Sequence, residues 1–121
     1  MAESHDLGKK GEDLAADYLG NAGFKILRRN WKSGKLELDI IAENRDFIVF
    51  VEVKTRSEDF QMHPVTAINR EKQRSMIYAA DAYIQRNSVD KESRFDIITV
   101  IIKGESHQID HIENAFYPTL R

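Results

Sequence analysis

Apolar positions along the chain recur with two different periods, and the changes of period divide it into elements. In HDLGKKGEDLAADYLGNAGF, Leu7, Leu14, Ala15, Tyr18 and Leu19 fall at helical spacing. Asp6 is placed to cap the start and Gly20 or Gly23 to end it, which predicts a first helix over about 7–21. FKILRR, from Phe24, is a short β-prone run, and NWKSGK, 30–35, reads as the turn that follows. Residues 36–42, LELDIIA, alternate, with Leu36, Leu38 and Ile40 facing one way and Glu37, Asp39 and Ile41 the other. The turn ENRD leads into FIVFVEVK, whose unbroken apolar start predicts a strand covered on both faces and forming a hairpin with its predecessor. A second helix is predicted over about 64–87, with Ile68, Met76, Ile77, Ala80 and Tyr83 or Ile84 on one side and charge on the other. RFDIITVIIK is a further apolar strand, and SHQIDHIENAF predicts a short strand and then a helical turn. The order α-β-β-β-α-β-β points to an α/β sandwich around a mixed sheet, and a length of 121 residues to a single domain over 1–121.

Composition narrows the class. With 41% hydrophobic and 31% charged residues the chain matches an ordinary soluble globular protein. No window reaches the roughly eighteen apolar residues of a spanning helix, and MAESHDLGKKGED lacks the apolar segment of a secretory signal. The expectation is a cytoplasmic protein with no membrane partner. The absence of cysteine excludes disulfides, a thiolate nucleophile and a thiolate zinc site. A net charge of −2 excludes a global basic field, but residues 24–35 gather Lys25, Arg28, Arg29, Lys32 and Lys35 around Trp31 with no acid among them. Two readings fit that stretch: a solvated turn with the tryptophan on the core, or a patch that contacts phosphates.

The far end of FIVFVEVK departs from its apolar start. Period two puts Ile48, Phe50, Glu52 and Lys54 on one face and Val49, Val51 and Val53 on the other. Glu37 and Asp39 share a face of the preceding strand. If the hairpin register joins those faces, three carboxylates and an ammonium converge, and an unpaired buried charge costs several kcal/mol. A divalent cation would compensate them. Oxygen donors, without a thiolate or a histidine pair, favour Mg2+ or Mn2+ over zinc. Water on such an ion is acidified enough to attack a phosphodiester, and Lys54 is placed to orient that water or steady the pentacovalent phosphate. A bare Glu-x-Lys is more often an exposed salt bridge. This one gains weight because it ends an apolar strand and follows an acidic one.

Asp39, followed thirteen residues on by Glu52-Val53-Lys54, resembles the D…(D/E)-x-K signature of the PD-(D/E)XK nuclease superfamily. The order GKKGEDLAADYLGNAGFKILRRNW, ELDIIA, FIVFVEVKTRS, RFDIITV and IENAF resembles the YraN family, uncharacterised protein family 0102, over nearly the whole chain. The resemblance implies a restriction-endonuclease-like sandwich, with a mixed central β-sheet flanked by helices, and similarity to archaeal Holliday-junction resolvases. It implies Asp39, Glu52 and Lys54 as catalytic residues, with Asp39 and Glu52 binding metal. To the metal set it adds Glu12 on the first helix and Glu37, in the family's usual Gly-Glu-(Ile/Leu)-Asp stretch. Leu36 stands where that stretch ordinarily has glycine, and there it either fills space left for substrate or packs on the core face. Thr55 and Arg56 match the family's Thr-Arg, and they either meet phosphate or form a polar strand end. Asp96 also matches the family, but it reads as fixing the strand entry by a local hydrogen bond. His63, His107 and His111 have no spacing to the acids that suggests a shared metal. Gln73 and Arg74 on the second helix either reach phosphates or form an outer charged face.

Three functions are carried forward. The first is Mg2+- or Mn2+-dependent hydrolysis of DNA, on branched or recombination intermediates, by a homodimer, because symmetric cutting of two strands needs two sites. The second is a non-catalytic nucleic-acid-binding module on the same fold, using Arg28, Arg29, Lys32, Lys35 and Arg56. The third is a protein-interaction domain for which the fold is only a scaffold.

Overall fold

The computed structural model describes residues 2–58 and 67–118, the side chains of 2–5 apart. In chain order the elements are α1 (Ala2–Asn21), β1 (Lys25–Ser33), β2 (Leu36–Glu43), β3 (Phe47–Ser57), α2 (Arg70–Asn87), β4 (Glu92–Lys103) and β5 (Ser106–Phe116). The strands form one mixed sheet in the order β1-β2-β3-β4-β5. Neighbours run antiparallel except β3 and β4, which are parallel and connected through α2. This is the predicted α/β sandwich, and it is compatible with a restriction-endonuclease-like arrangement.

The central pair is apolar for the reason its sequence suggested. Phe95–Ile102 of β4 are buried without a break, as are Ile48–Glu52 of β3, because a parallel pair is covered on both faces. Ala15 and Leu19 of α1 pack on one face with Ile40, Val49, Val51, Ile98 and Val100. Met76, Ala80 and Tyr83 of α2 pack on the other with Leu38, Ile41, Phe50 and Phe95. Each large side chain so buried contributes roughly 1.5–3 kcal/mol. Among the described residues no helix is long and apolar enough to cross a membrane.

Three expectations need correction. NWKSGK is not a turn: β1 continues to Ser33, with Trp31 opposite Leu38 and Lys32 opposite Glu37, and only Gly34 and Lys35 form the reversal. The strand persists because Trp31 has somewhere to pack. Its ring meets Tyr83 edge-on at 5.3 Å, with Arg86 5.7 Å from its centroid. SHQIDHIENAF contains no helical turn; it is one strand, and Asn114, at φ 55, absorbs the irregularity near its end. The second helix starts at Arg70, after the Asn69 cap, so Ile68 precedes it, while 64–66 lie outside the described residues.

Two contacts fix α1 to the sheet. Gly11 lies against Thr55 of β3 so closely that a Cβ there would overlap the threonine side chain. Farther along, Asp96 of β4 is fully buried and accepts from Arg94 Nε and Nη2 at 3.0 Å each, from the Asn114 backbone N–H at 3.0 Å and from His111 Nε2 at 2.7 Å. The other ring nitrogen, His111 Nδ1, stands 2.9 Å from the Tyr18 hydroxyl on α1. An ionised carboxylate only accepts, so the proton facing Asp96 sits on Nε2, and in the neutral ring Nδ1 accepts from Tyr18. Burial would raise the Asp96 carboxyl, but hydrogen bonds from His111, Arg94 and Asn114 outweigh it and hold it below the usual range.

Two stability predictions follow from these anchors. Gly11→Ala should cost about 1–3 kcal/mol in urea unfolding, and a Thr55→Ala background should shrink that cost, since both act on one overlap. Asp96→Asn should cost about 3–5 kcal/mol at pH 7, because it leaves the buried Arg94 charge only the longer contact to exposed Glu113, at 3.8 Å. A carboxyl held low stabilises the fold above its unfolded pKa, so this gap should narrow as pH falls below about 3.9.

Candidate functional site

The β2–β3 ladder is short for strands of this length. It runs from Glu43↔Ile48 to Ile40↔Val51 and stops. The next inward donor, the Val53 N–H, goes to the side chain of Asp39, 2.8 Å from Oδ2, instead of to a β2 carbonyl. Facing changes at the same place. Leu38 packs with Ile41 on the α2 side while Ile40 packs on the α1 side, so the strict alternation expected through Leu36, Leu38 and Ile40 breaks around Asp39. β2 stays paired with β1 down to Leu36, and β3 with β4 out to Ser57. Between the diverging strands a groove of about 1150 Å³ opens, lined by Glu12, Lys32, Glu37, Asp39, Lys54 and Arg56 among others.

Charges in this groove are unevenly balanced. Burial pushes the Asp39 carboxyl up to about 7, the charge of Glu52 adds to that rise, and the Val53 N–H opposes it. Glu52 is 5% exposed, with Lys54 Nζ 2.8 Å from its Oε2 and Lys72 Nζ 3.4 Å from its Oε1. Glu12, half-buried on α1, accepts at Oε1 from Arg29 Nη2 at 3.0 Å and Asn30 Nδ2 at 2.8 Å. Arg29 also donates to Asp13 Oδ1 at 2.6 Å and holds that carboxyl below its usual range.

The structure therefore brings Asp39, Glu52 and Lys54 together. Glu37 reaches the groove wall but is exposed, opposite Lys32 on β1. Among the described residues no group of three or more acids or histidines is arranged to hold a metal, so Asp39, Glu52, Glu12 and Glu37 do not close into one cage. Two carboxylates suffice for a hydrated hard cation: magnesium keeps several waters and is commonly held by one or two acids. Asp39 fits that role as a hard oxygen donor: burial is the main cause of its rise, and the Glu52 charge, the second cause, is one that a cation would offset.

The basic residues divide. Lys32 and Arg56 line the groove, whereas Arg28 and Lys35 are exposed away from its lining. Arg29 lines it too, with its guanidinium engaged by Glu12 and Asp13. Leu36 packs against the core beneath α2 and is not part of the groove wall. Asp96 is structural, as read, though its bonds reach β5 as well as its own strand. His111 belongs to that network, His107 is exposed, and His63 lies outside the described residues. Gln73 donates to the Ile68 carbonyl at 2.9 Å, and Arg74 is exposed.

Sequence reasoning missed Lys72, Asn30 and Lys9, which all reach this region. Asn30 adopts φ 53, a conformation in which asparagine is enriched, and that was its one local signal. Lys72 carried none, because its contact depends on how α2 crosses back over the sheet.

Fold and groove together define an α/β protein with a mixed five-stranded sheet and an acid–lysine cluster where two antiparallel strands part. The chain belongs to the family described as Uncharacterised protein family UPF0102, whose family model matches residues 11–100. It is 46% identical over 121 residues to the UPF0102 protein of Parabacteroides distasonis, covering 100% of both chains. It is 47% identical over 120 residues to that of Bacteroides thetaiotaomicron, covering 99% of each. With the Flavobacterium psychrophilum protein it shares 43% identity over 117 residues, 97% of this chain and 98% of the relative.

A carboxyl raised by folding opposes stability once both states are ionised. The contribution of protonated Asp39 is present in full below the ordinary aspartate pKa of about 3.9 and is lost as pH rises through about 7. Asp39→Asn, whose amide oxygen can still accept from Val53, should therefore be more stable than wild type at pH 8 without divalent cations. That advantage should shrink steadily between pH 7 and pH 4. Thermal melts across this range check it, and an advantage independent of pH would refute the assigned shift.

Proposed function

We propose that the chain is a metal-dependent nuclease of PD-(D/E)XK type, with Asp39 and Glu52 as the metal-binding acids. The observation that carries this reading is the side-chain bond from Asp39 to the Val53 N–H. It parts β2 from β3 where Asp39 and Lys54 line one groove, with buried Glu52 paired to Lys54. A bound Mg2+ or Mn2+ supplies an acidified water and offsets charge on the phosphate. Asp39 and Glu52 hold and orient that ion through hard oxygen donors. Lys54, 2.8 Å from Glu52 Oε2 and part of the groove wall, is positioned to donate to a phosphate oxygen as charge builds there. Lys9, Lys32 and Arg56 on the rim can neutralise flanking phosphates, which fits a nucleic-acid backbone, with DNA the proposed substrate. Action on branched DNA would need two copies, because one chain supplies one such groove, and a homodimer is therefore part of the proposal.

One observation favours a second reading. Two of the acids are already matched by internal cations, Glu52 by Lys54 and Lys72 and Glu12 by Arg29, which suits binding of nucleic acid without cutting it. Such a module would bind with strong salt dependence, and its binding would survive Asp39→Ala.

Purified chain assayed with Mg2+ or Mn2+ on linear, single-stranded and four-way-junction DNA separates the two. The nuclease reading expects cleavage of at least one substrate, with Asp39→Ala and Lys54→Met each lowering the rate at least about 100-fold. Salt-sensitive binding with no cleavage by the wild type would overturn it in favour of the module.

A further inference from the structure

Glu52 is held by two ammonium groups, and they reach it by different routes. Lys54 lies two residues along the same strand and shares its face, so its pairing is local. Lys72 comes from the first turn of α2, where Asn69 Oδ1 accepts from the Lys72 backbone N–H at 2.7 Å and fixes where the side chain leaves the helix. Its ammonium occupies Oε1, the oxygen that Lys54 does not contact. Its charge also acts across space on Asp39. A cation in the first turn of a helix opposes the helix dipole, so this position favours lysine only because an acid lies opposite.

A divalent cation shared by Asp39 and Glu52 needs a Glu52 oxygen, and both are engaged. Lys72 is the cation better placed to yield. Its contact is longer, 3.4 Å against 2.8 Å, and it reaches Glu52 from another element; its side chain is 36% exposed, close to the 31% of Lys54, so the released ammonium re-enters water without crossing the core. We propose that Lys72 is the resident counter-ion of the Asp39–Glu52 pair and exchanges with the divalent cation, so that metal entry and release of α2's first-turn lysine are one event. Lys72 then acts as a positioning residue: it holds the Glu52 Oε1 oxygen in place in the metal-free chain. The inference rests on the metal-dependent reading above and goes beyond it by giving a role to a residue outside the strand motif.

The test is calorimetric titration of Mn2+ into wild type, Lys72→Met, Lys72→Arg and Asp39→Asn at one pH and ionic strength, with circular dichroism to verify folding. Lys72→Met removes the competing charge and should bind Mn2+ about fivefold more tightly than wild type. Lys72→Arg keeps the charge and should stay near wild type, and Asp39→Asn should lose binding. Without metal, Lys72→Met should melt below wild type, and it should gain more in melting temperature from added Mn2+. Equal or weaker binding by Lys72→Met, with wild-type binding intact, would sink the exchange and leave the metal site standing. Absence of Mn2+ binding by both wild type and Lys72→Met would overturn the metal-dependent reading and the exchange with it.

Discussion

The groove exists because a side chain replaces a backbone acceptor. Two antiparallel strands can part within a sheet only if the donors they release find other partners, since an orphaned buried N–H costs about as much as a lost hydrogen bond. Asp39 meets that condition by accepting from Val53, directly beyond the last β2–β3 pair. Each strand then continues with its outer neighbour, β2 with β1 and β3 with β4, so the split is held open from both sides. The cost appears on Asp39 itself, a carboxyl raised to about 7 by burial and by Glu52. Among the described residues no buried side-chain polar atom lacks a partner.

Helix α1 sets the far wall of that groove, and its placement depends on two unlike contacts. At Gly11 the helix backbone comes down onto Thr55, which only a residue without Cβ permits. At Tyr18, roughly 10 Å farther along the helix axis, the hydroxyl joins the His111–Asp96–Arg94 network on β4 and β5. Ala15 and Leu19 fill the space between with apolar contact. Glu12 directly follows the tight contact, so its position is set by Gly11 more than by its own bonds. It then draws Arg29 and Asn30 of β1 toward the acids. The basic stretch is thus tied to the site by an acid from another element.

Much of the architecture was legible because burial leaves a period in the sequence. The strand faces of β3, the buried side of α2 and the element order all followed from it. The acid pair and Lys54 were legible for a related reason: charge at the end of an apolar strand conflicts with its surroundings. What stayed hidden is tertiary. Asn, Lys, Ser and Gly after Arg29 have turn chemistry, and only Trp31 against Tyr83 explains why the strand runs on to Ser33. Period two failed around Asp39 because the strand turns its face where it leaves β3. Charge alone names no partner, so the same basic composition left Lys32 on the groove and committed Arg29 to Glu12 and Asp13.

The distribution of charge argues that the cluster is more than a structural ion pair. A buried ion pair is rarely more stable than an apolar replacement of similar volume, so stability alone gives little reason for Asp39 and Glu52 to stand close together. Around these two acids the count of charges balances, with two lysines in contact, but the positions do not. Both ammonium groups contact Glu52, and among the described residues no cation forms an ion pair with Asp39, whose charge is answered only by a backbone N–H and by Lys72 at a distance. Ammonium groups carried on a strand and a helix are each limited by their own stem. A divalent ion is a single point of double charge and can contact both carboxylates at once. The mismatch between balanced number and unbalanced position is what the divalent ion proposed above would resolve, because it leaves Asp39, unlike Glu52, with no cation in contact.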